Sequence, residues 1–535
     1  MTVFPRKPPV ADTREIQGAF GTVQRRGGGP GWRQRLRTLL AIVGPGLIVM
    51  VGDNDAGAFA TYTQAGQNYG TALLWTLLLL VPVLYVNQEM VLRLGAVTGV
   101  GHARLINARF GRFWGRFSVG ALFLLNGLTI VTEFIGMSLA LDFLGVPRLW
   151  GVLAAAVLTV IAGSTGDFRR FERFAMMLVL GSLLLVPVFV AVHPPFSRIV
   201  HDLLVPQLPA GPLADILLLV IAIVGTTIAP WQLYFQQSYV VDKRITPRFI
   251  PYEKIDLWLG IAIVILGAVA MMAFAAAAFD GTAEAGRFTD AAGVAEGLAR
   301  YAGHVPAVLF AIALLDASII GTAAVSLSTA YAVGDLLAER HSLHRKPGGS
   351  RRMLAVYAGL IAVSAALVLV PGAPLGLITV GVQTLAGIML PSCTVFLVLL
   401  CNDRAVLGPW TNGRWLNLFT GAVVSFLVLL SFVLIAAVLF PELAARYVAP
   451  VIGWGGGIWG AGIGLAAMMS LRRKTPAAPP LSRARRAAWR MPALDLLPAP
   501  VLSRAARWLI GGLWAYLGLA GGMVVLRVAQ IALGG

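Results

Sequence analysis

Eleven apolar stretches, most of about twenty residues or more, run through this chain, and such runs read as helices that cross the hydrocarbon core of a bilayer. They fall near 37–62, 71–94, 117–141, 149–164, 174–193, 213–240, 255–279, 306–333, 353–371, 373–401 and 415–440. Two Gly-rich candidates follow, near 449–470 and 507–531. Only 12% of the 535 residues are charged and 58% are hydrophobic, about half the usual charge of a soluble domain. That excludes a water-soluble enzyme, a disordered chain and a secreted disulfide scaffold. The two cysteines, Cys393 and Cys401, share one apolar run and imply no disulfide framework.

Two of the runs contain residues that a membrane-buried helix avoids. The first reads Gly44-Pro45-Gly46 and then Gly52-Asp53-Asn54-Asp55-Ala56-Gly57; the sixth reads Gly225-Thr226-Thr227-Ile228-Ala229-Pro230-Trp231-Gln232. Inside hydrocarbon every backbone polar group needs a partner, so an unwound segment persists only where it lines a cavity or binds something. Two carboxylates at mid-span are costly unless paired or met by a cation. On the plainer reading, Asp53 and Asp55 cap a half-helix and Pro230 kinks another. The sharper reading notes that the breaks lie five spans apart, at matching positions of two five-span halves, the pattern of an inverted-repeat transporter with its site at the midplane. Carboxylate oxygens of Asp53 and Asp55, with Asn54, would then meet backbone carbonyls around Thr226 and Ala229. The C-terminal dipole ends of both first half-helices would add negative potential.

Charge position sets orientation. The 42 Lys and Arg outnumber the 24 Asp and Glu, and the excess falls in alternate loops: Arg104–Arg116, Arg169–Arg173, Lys243–Lys254, Arg340–Arg352 and Arg472–Arg490. This is the positive-inside pattern with a cytoplasmic N-terminus, not a nucleic-acid footprint. Residues 1–36 lack a cleavage site and carry Gly27-Gly28-Gly29-Pro30. They are expected to form a basic cytoplasmic tail, at most partly helical. The expected organisation is an all-α polytopic membrane protein of 11–13 transmembrane helices. Residues 37–193 would form one five-span repeat, 194–401 the second, and 402–535 additional C-terminal spans and a basic cytoplasmic loop.

The residues in and around the breaks resemble the Nramp family of divalent-metal transporters. Asp55-Ala56-Gly57-Ala58 stands where that family has Asp-Pro-Gly-Asn, in register with Gln64-Ala65-Gly66 and Leu73-Leu74-Trp75. Arg93-Leu94-Gly95-Ala96-Val97-Thr98-Gly99, Glu133-Phe134-Ile135-Gly136, Gln383 with Leu390-Pro391, and Asn412-Gly413-Arg414-Trp415-Leu416-Asn417 continue the likeness in order. The resemblance implies the amino-acid-transporter-type inverted repeat and alternating access, with the metal as transported substrate and no cofactor. Through it Gln383 becomes a candidate ligand in one conformation.

The departures are informative. The family's Met-Pro-His is here Ala229-Pro230-Trp231. A soft thioether favours manganese, iron and cadmium over hard ions, and without it the donors are oxygens alone. Alanine similarly replaces the methionine in Nramp-related magnesium transporters, so the expectation is a partly hydrated Mg²⁺, with Mn²⁺ also carried. The family's third-span aspartate position is Ile130, and its histidine positions are Trp231 and Gln236. All six histidines fall in loops or at span ends, which suggests weak or absent proton coupling. Glu133, Asp316 and Gln232 are candidates for an ion path, while Glu89 and Arg93 have the spacing of a structural pair.

The chief alternative is a proton-coupled Mn²⁺/Fe²⁺ importer of the usual Nramp type. An amino-acid carrier of the same fold would find its substrate carboxylate repelled by Asp-Asn-Asp. A membrane-embedded enzyme would show a motif such as His-Glu-x-x-His, Gly-x-Ser-x-Gly or a phosphate loop, and none is present. A channel would not need two facing broken helices. The expected partners are the cation and the lipid bilayer, with the chain acting as a monomer in a bacterial inner membrane.

Overall fold

The computed structural model describes residues 15–24, 31–339, 342–344, 351–370, 375–439, 482–500 and 507–518, with scattered positions between 454 and 468. Its elements are the strands β1 (Glu15–Gly18) and β2 (Gly21–Gln24) and helices from α1 (Trp32–Ile42) onward. The first broken span is α2 (Pro45–Val51) and α3 (Ala56–Tyr69). Then come α4 (Leu74–Thr98), α5 (His102–Phe110), α6 (Arg112–Phe143), α7 (Arg148–Ser164), α8 (Phe168–Gly181), α9 (Leu185–Val192) and α10 (Phe196–Leu204). The second broken span is α11 (Leu213–Thr227) and α12 (Pro230–Asp242), followed by α13 (Ile250–Phe279), α14 (Ala291–Tyr301) and α15 (His304–Leu336). The described part of the bundle closes with α16 (Arg351–Val368), α17 (Leu375–Asn402), α18 (Arg404–Leu407) and α19 (Arg414–Leu439).

Each of the eleven expected spans coincides with a helix or a helix pair. Among the described residues eight helices are long and apolar enough to cross a membrane, and α1 with α2 forms a further pair bent by 48°. The candidates at 449–470 and 507–531 lie mostly outside the described residues; 507–518 is helical. Large apolar side chains such as Leu79, Leu124, Ile161, Leu180 and Leu266 are exposed on outer helix faces. Such a continuous apolar exterior is suited to lipid rather than water.

The interior is built by α6 along α15, α11 along α17, and α2 and α3 against α13. Small residues permit the closest approaches. A Cβ on Gly225 would fall 2.0 Å from the carbonyl oxygen of Gln383, and one on Gly66 would fall 2.3 Å from that of Met272. The far end of α3 is tied to the α13–α14 connection. Gln67 Nε2 donates to the Glu284 carbonyl, the Gly286 N–H donates to the Gln67 carbonyl, and the Phe288 N–H donates to Asn68 Oδ1.

The N-terminal segment differs from the expected tail. Residues 15–24 form an antiparallel hairpin pairing Ile16 with Val23, and both side chains are buried. The cause is packing onto α1: Ile16 and Val23 share one face, and Gly18 and Gly21 let the turn lie on that helix, where a Cβ on Gly18 would meet the Ala41 carbonyl oxygen at 2.0 Å. The glycines that argued for irregularity, Gly27–Gly29, lie outside the described residues.

Candidate metal centre

Both breaks are real, and they face each other. α2 ends at Val51, and Asp55 caps α3 in extended backbone, its Oδ1 accepting the Ala58 N–H at 2.9 Å. The Ala56 N–H donates instead to Glu133 Oε2 at 3.2 Å. In a continuous helix these two N–H groups would serve the carbonyls of Gly52 and Asn54, so the carboxylates free those carbonyls. At the second break Pro230 has no N–H to give, and the Thr226 carbonyl, whose helical partner would be residue 230, has no backbone donor. Ala229 stands at the start of α12 in extended backbone.

Several contacts bring the breaks together. Tyr62 Oη and Thr227 Oγ1 are 2.8 Å apart. The Trp231 indole lies over Gly52, where a Cβ would be 3.6 Å from it. The Gln232 carboxamide lies beside Asp53 and its Oε1 accepts from Gln88 Nε2 at 3.0 Å. From α17, Gln383 reaches the first break so closely that a Cβ on Gly57 would overlap its Nε2 at 1.6 Å. Asn54 is anchored away from the gap, its Nδ2 donating to the Val264 carbonyl at 3.2 Å.

The centre is sealed and polar. Asp53 is 1% and Asp55 3% exposed. Both Asp53 oxygens, Asn54 Oδ1, Glu133 Oε1, the Thr226 hydroxyl, Gln232 Nε2 and Gln383 Nε2 are buried without a hydrogen-bond partner. Buried groups of this kind usually find one, and so many around one point form a site built to receive something. Among the described residues no three His, Cys, Asp or Glu side chains converge closely enough to chelate an ion alone. A cation here would therefore complete its shell with carbonyls, amides and water. The Asp55 and Glu133 carboxyls lie together at the head of α3, one taking the Ala58 N–H and the other the Ala56 N–H.

Of the sequence candidates, Asp53, Asp55, Thr226, Ala229, Gln383, Glu133 and Gln232 gather at the breaks, and Asn54 stands at their edge. Asp316 does not: its carboxyl packs on α8, where a Cβ on Gly181 would meet it at 2.3 Å. Two residues lie where the sequence puts them but are far more buried than such positions suggest. Lys243, counted as a loop charge, is 1% exposed. His102, placed at a span end, is wholly buried, with Nδ1 2.8 Å from Gln237 Oε1. Burial pushes its imidazole down to about 4, so it is neutral near pH 7. Glu89 and Arg93 do pair, at 3.1 Å, and Lys254 joins them at 3.1 Å. Sequence reasoning missed Tyr62, a residue of an apolar run whose hydroxyl matters only once Thr227 is seen opposite.

Known proteins resemble this chain in sequence and in fold. The family model described as "Natural resistance-associated macrophage protein-like" (Nramp) matches residues 46–437. The chain is 33% identical to the divalent metal cation transporter MntH of Ralstonia nicotianae, over 72% of this chain and 87% of that one. It is 28% identical to MntH of Latilactobacillus sakei, over 75% and 90%. Among solved structures, a manganese transporter of Eremococcus coleocola in complex with an aromatic bis-isothiourea compound is similar in fold. Its TM-score is 0.60 at 20% identity, over 84% of this chain and 98% of that one.

Proposed function

Because the chain belongs to the Nramp family of membrane transporters, we propose that it carries a divalent metal cation across the bilayer by alternating access, with Mn²⁺ as the principal substrate. The observation that supports this most is the sealed gap where two broken helices present unpartnered carboxylate and amide groups. The two curated relatives compared above are described as divalent metal cation transporters. Oxygen donors suit Mn²⁺ as well as Mg²⁺, so the missing thioether does not turn the site away from manganese.

A second reading, Mg²⁺ as the favoured ion, rests on the donor set alone, Ala229 standing where sulfur would otherwise select against hard ions. Asp53, Asp55, the Thr226 carbonyl and Gln383 are the proposed ligands, with Asn54 and Gln232 holding the edges. Glu133, in contact with Asp55, supplies a group that can carry a proton, which favours proton coupling over the uncoupled route suggested by the absent histidines. We place the chain as a monomer in a bacterial plasma membrane, N-terminus inside, with residues 37–193 and 194–401 as its two repeats.

Uptake into proteoliposomes decides between the ions. Mn²⁺ uptake inhibited by excess Mg²⁺ only weakly supports the manganese reading; equal competition supports magnesium. Ala229→Met should shift preference toward Cd²⁺ and Mn²⁺. Absence of uptake of either ion by the folded parent would refute the transporter proposal.

A further inference from the structure

Away from the ion site, the hairpin-bearing end of the bundle holds a second buried polar cluster that the transport reading does not use. Lys243, just past α12, and Glu172 of α8 form an ion pair at 2.7 Å with both side chains fully buried. Lys243 Nζ also donates to the carbonyls of Ile42 at 2.6 Å and Val43 at 3.0 Å, which close α1 just before the first broken span. Asp256 of α13 accepts the Gly44 N–H at 3.1 Å and the Gly46 N–H at 2.7 Å. Gly44 has φ +151°, and a Cβ there would stand 2.3 Å from Glu172 Oε1 and 3.1 Å from Lys243 Nζ. Five chain segments are thus tied at one point: α1, the start of α2, α8, the end of α12, and α13.

The hairpin closes this knot from outside. The Ala19 N–H, at its tip, donates to the second Glu172 oxygen. Arg169 Nε donates to the Gly18 carbonyl and Arg173 Nε to the Ala19 carbonyl, each at 3.2 Å. The Glu172 carboxylate is therefore held between Lys243 on the bundle side and the hairpin on the other. A buried ion pair is costly to break because each freed charge loses its partner in a low-dielectric setting. α2 and α12 are the halves of the two broken spans on this side of the ion site, and Lys243, one residue past α12, holds the Ile42 and Val43 carbonyls that lead into α2, so parting the two halves must break this bridge.

We propose that the Gly18–Gly21 tip of the N-terminal hairpin is a latch on this gate: by holding Glu172 against Lys243 it weights the conformational equilibrium against opening at the hairpin-bearing end. The proposal rests on the alternating-access reading for its consequence, but its test needs no metal. In a chain carrying Cys393→Ala and Cys401→Ala, a reporter Gln236→Cys is placed on α12 between the ion site and the latch, and a second chain carries Thr61→Cys on α3, beyond the ion site. Alkylation by a charged maleimide is timed in metal-free buffer for the parent, for Arg169→Ala/Arg173→Ala, and for a chain lacking residues 1–24. The two latter should react about tenfold faster at position 236, the worth of roughly one charge-assisted hydrogen bond, with no acceleration at position 61. Lys243→Met should give a larger rise.

An unchanged rate at 236 in monodisperse protein of unaltered Tm would overturn the latch, as would equal acceleration at both reporters, which signals general loosening. The double arginine variant touches no side chain of the ion site, so a folding failure of the truncated chain leaves the test intact. Failure of metal uptake with a responsive reporter would sink the substrate reading and spare the latch.

Discussion

Replacing Asp55 by Asn separates the two tasks of that side chain. As the cap of α3, Asp55 accepts one N–H at 2.9 Å; Asn caps about as well, so the folding free energy should change by less than about 1 kcal/mol. With Asp53 also buried and unpartnered and Glu133 alongside, removing one carboxylate relieves like-charge crowding, and the metal-free variant should be no less stable than the parent. As a ligand the loss is larger. Opposite unit charges about 4 Å apart attract by about 4 kcal/mol at an effective dielectric constant of about 20, so a divalent ion forfeits about twice that before dehydration is counted. A hundredfold weaker affinity is therefore a conservative expectation, about 2.8 kcal/mol. Thermal unfolding in detergent with added Mn²⁺ is the assay. At one hundred times the parent's Kd, linkage stabilises the parent by about 2.7 kcal/mol and a variant binding a hundredfold more weakly by about 0.4 kcal/mol. Full metal-dependent stabilisation in Asp55→Asn, with unchanged uptake, would refute the assignment of Asp55 as a ligand.

Three further outcomes follow from the geometry. Gly57→Ala displaces Gln383 by placing a Cβ where its Nε2 sits; KM for uptake should rise about tenfold, matched by Gln383→Ala, and the double variant should be no worse than either single one. Additive effects would show that Gln383 does not act through this contact. Glu133→Gln leaves an acceptor for the Ala56 N–H but removes the acid beside Asp55, so Mn²⁺ binding should release fewer protons, as read by calorimetry in buffers of different ionisation enthalpy. On the α10 side, burial raises Asp202 but is outweighed by hydrogen bonds from Thr71, His201 and Gln207 and by the Arg198 charge, which hold it below the usual carboxylate range. Its stabilising contribution is complete above the unfolded value near about 4 and is lost as pH falls through the lower folded value; Asp202→Asn should flatten the acid limb of a Tm–pH curve.

The broken spans could be read from residue chemistry because their cause is local. Pro230 lacks an N–H wherever it is placed, and Asp55 is a cap before it is anything else. Gln383 at the first break was legible only through resemblance, since nothing local says that α17 crosses Gly57. Lys243 misled because a lysine flanked by loop arginines reads as solvated, and only packing shows Glu172 and two carbonyls waiting for it. The hairpin was hidden for a related reason: four-residue strands carry little periodic signal, and Ile16 and Val23 acquire a buried face only when α1 lies beneath them. For Asp316, depth within an apolar span suggested a part in the path, and helix azimuth turns its carboxyl toward α8, away from the breaks.

The far end of α3 is fastened by Gln67 and Asn68 to the connection between α13 and α14, while α2 begins at glycines fastened to Asp256. The first broken span is thus a lever clamped at both tips, with residues 52–55 as its fulcrum. Freeing one tip lets that arm swing about the fulcrum while the other stays anchored. A ligand held at the fulcrum would accordingly sit at the one point on the lever that either swing leaves nearly in place.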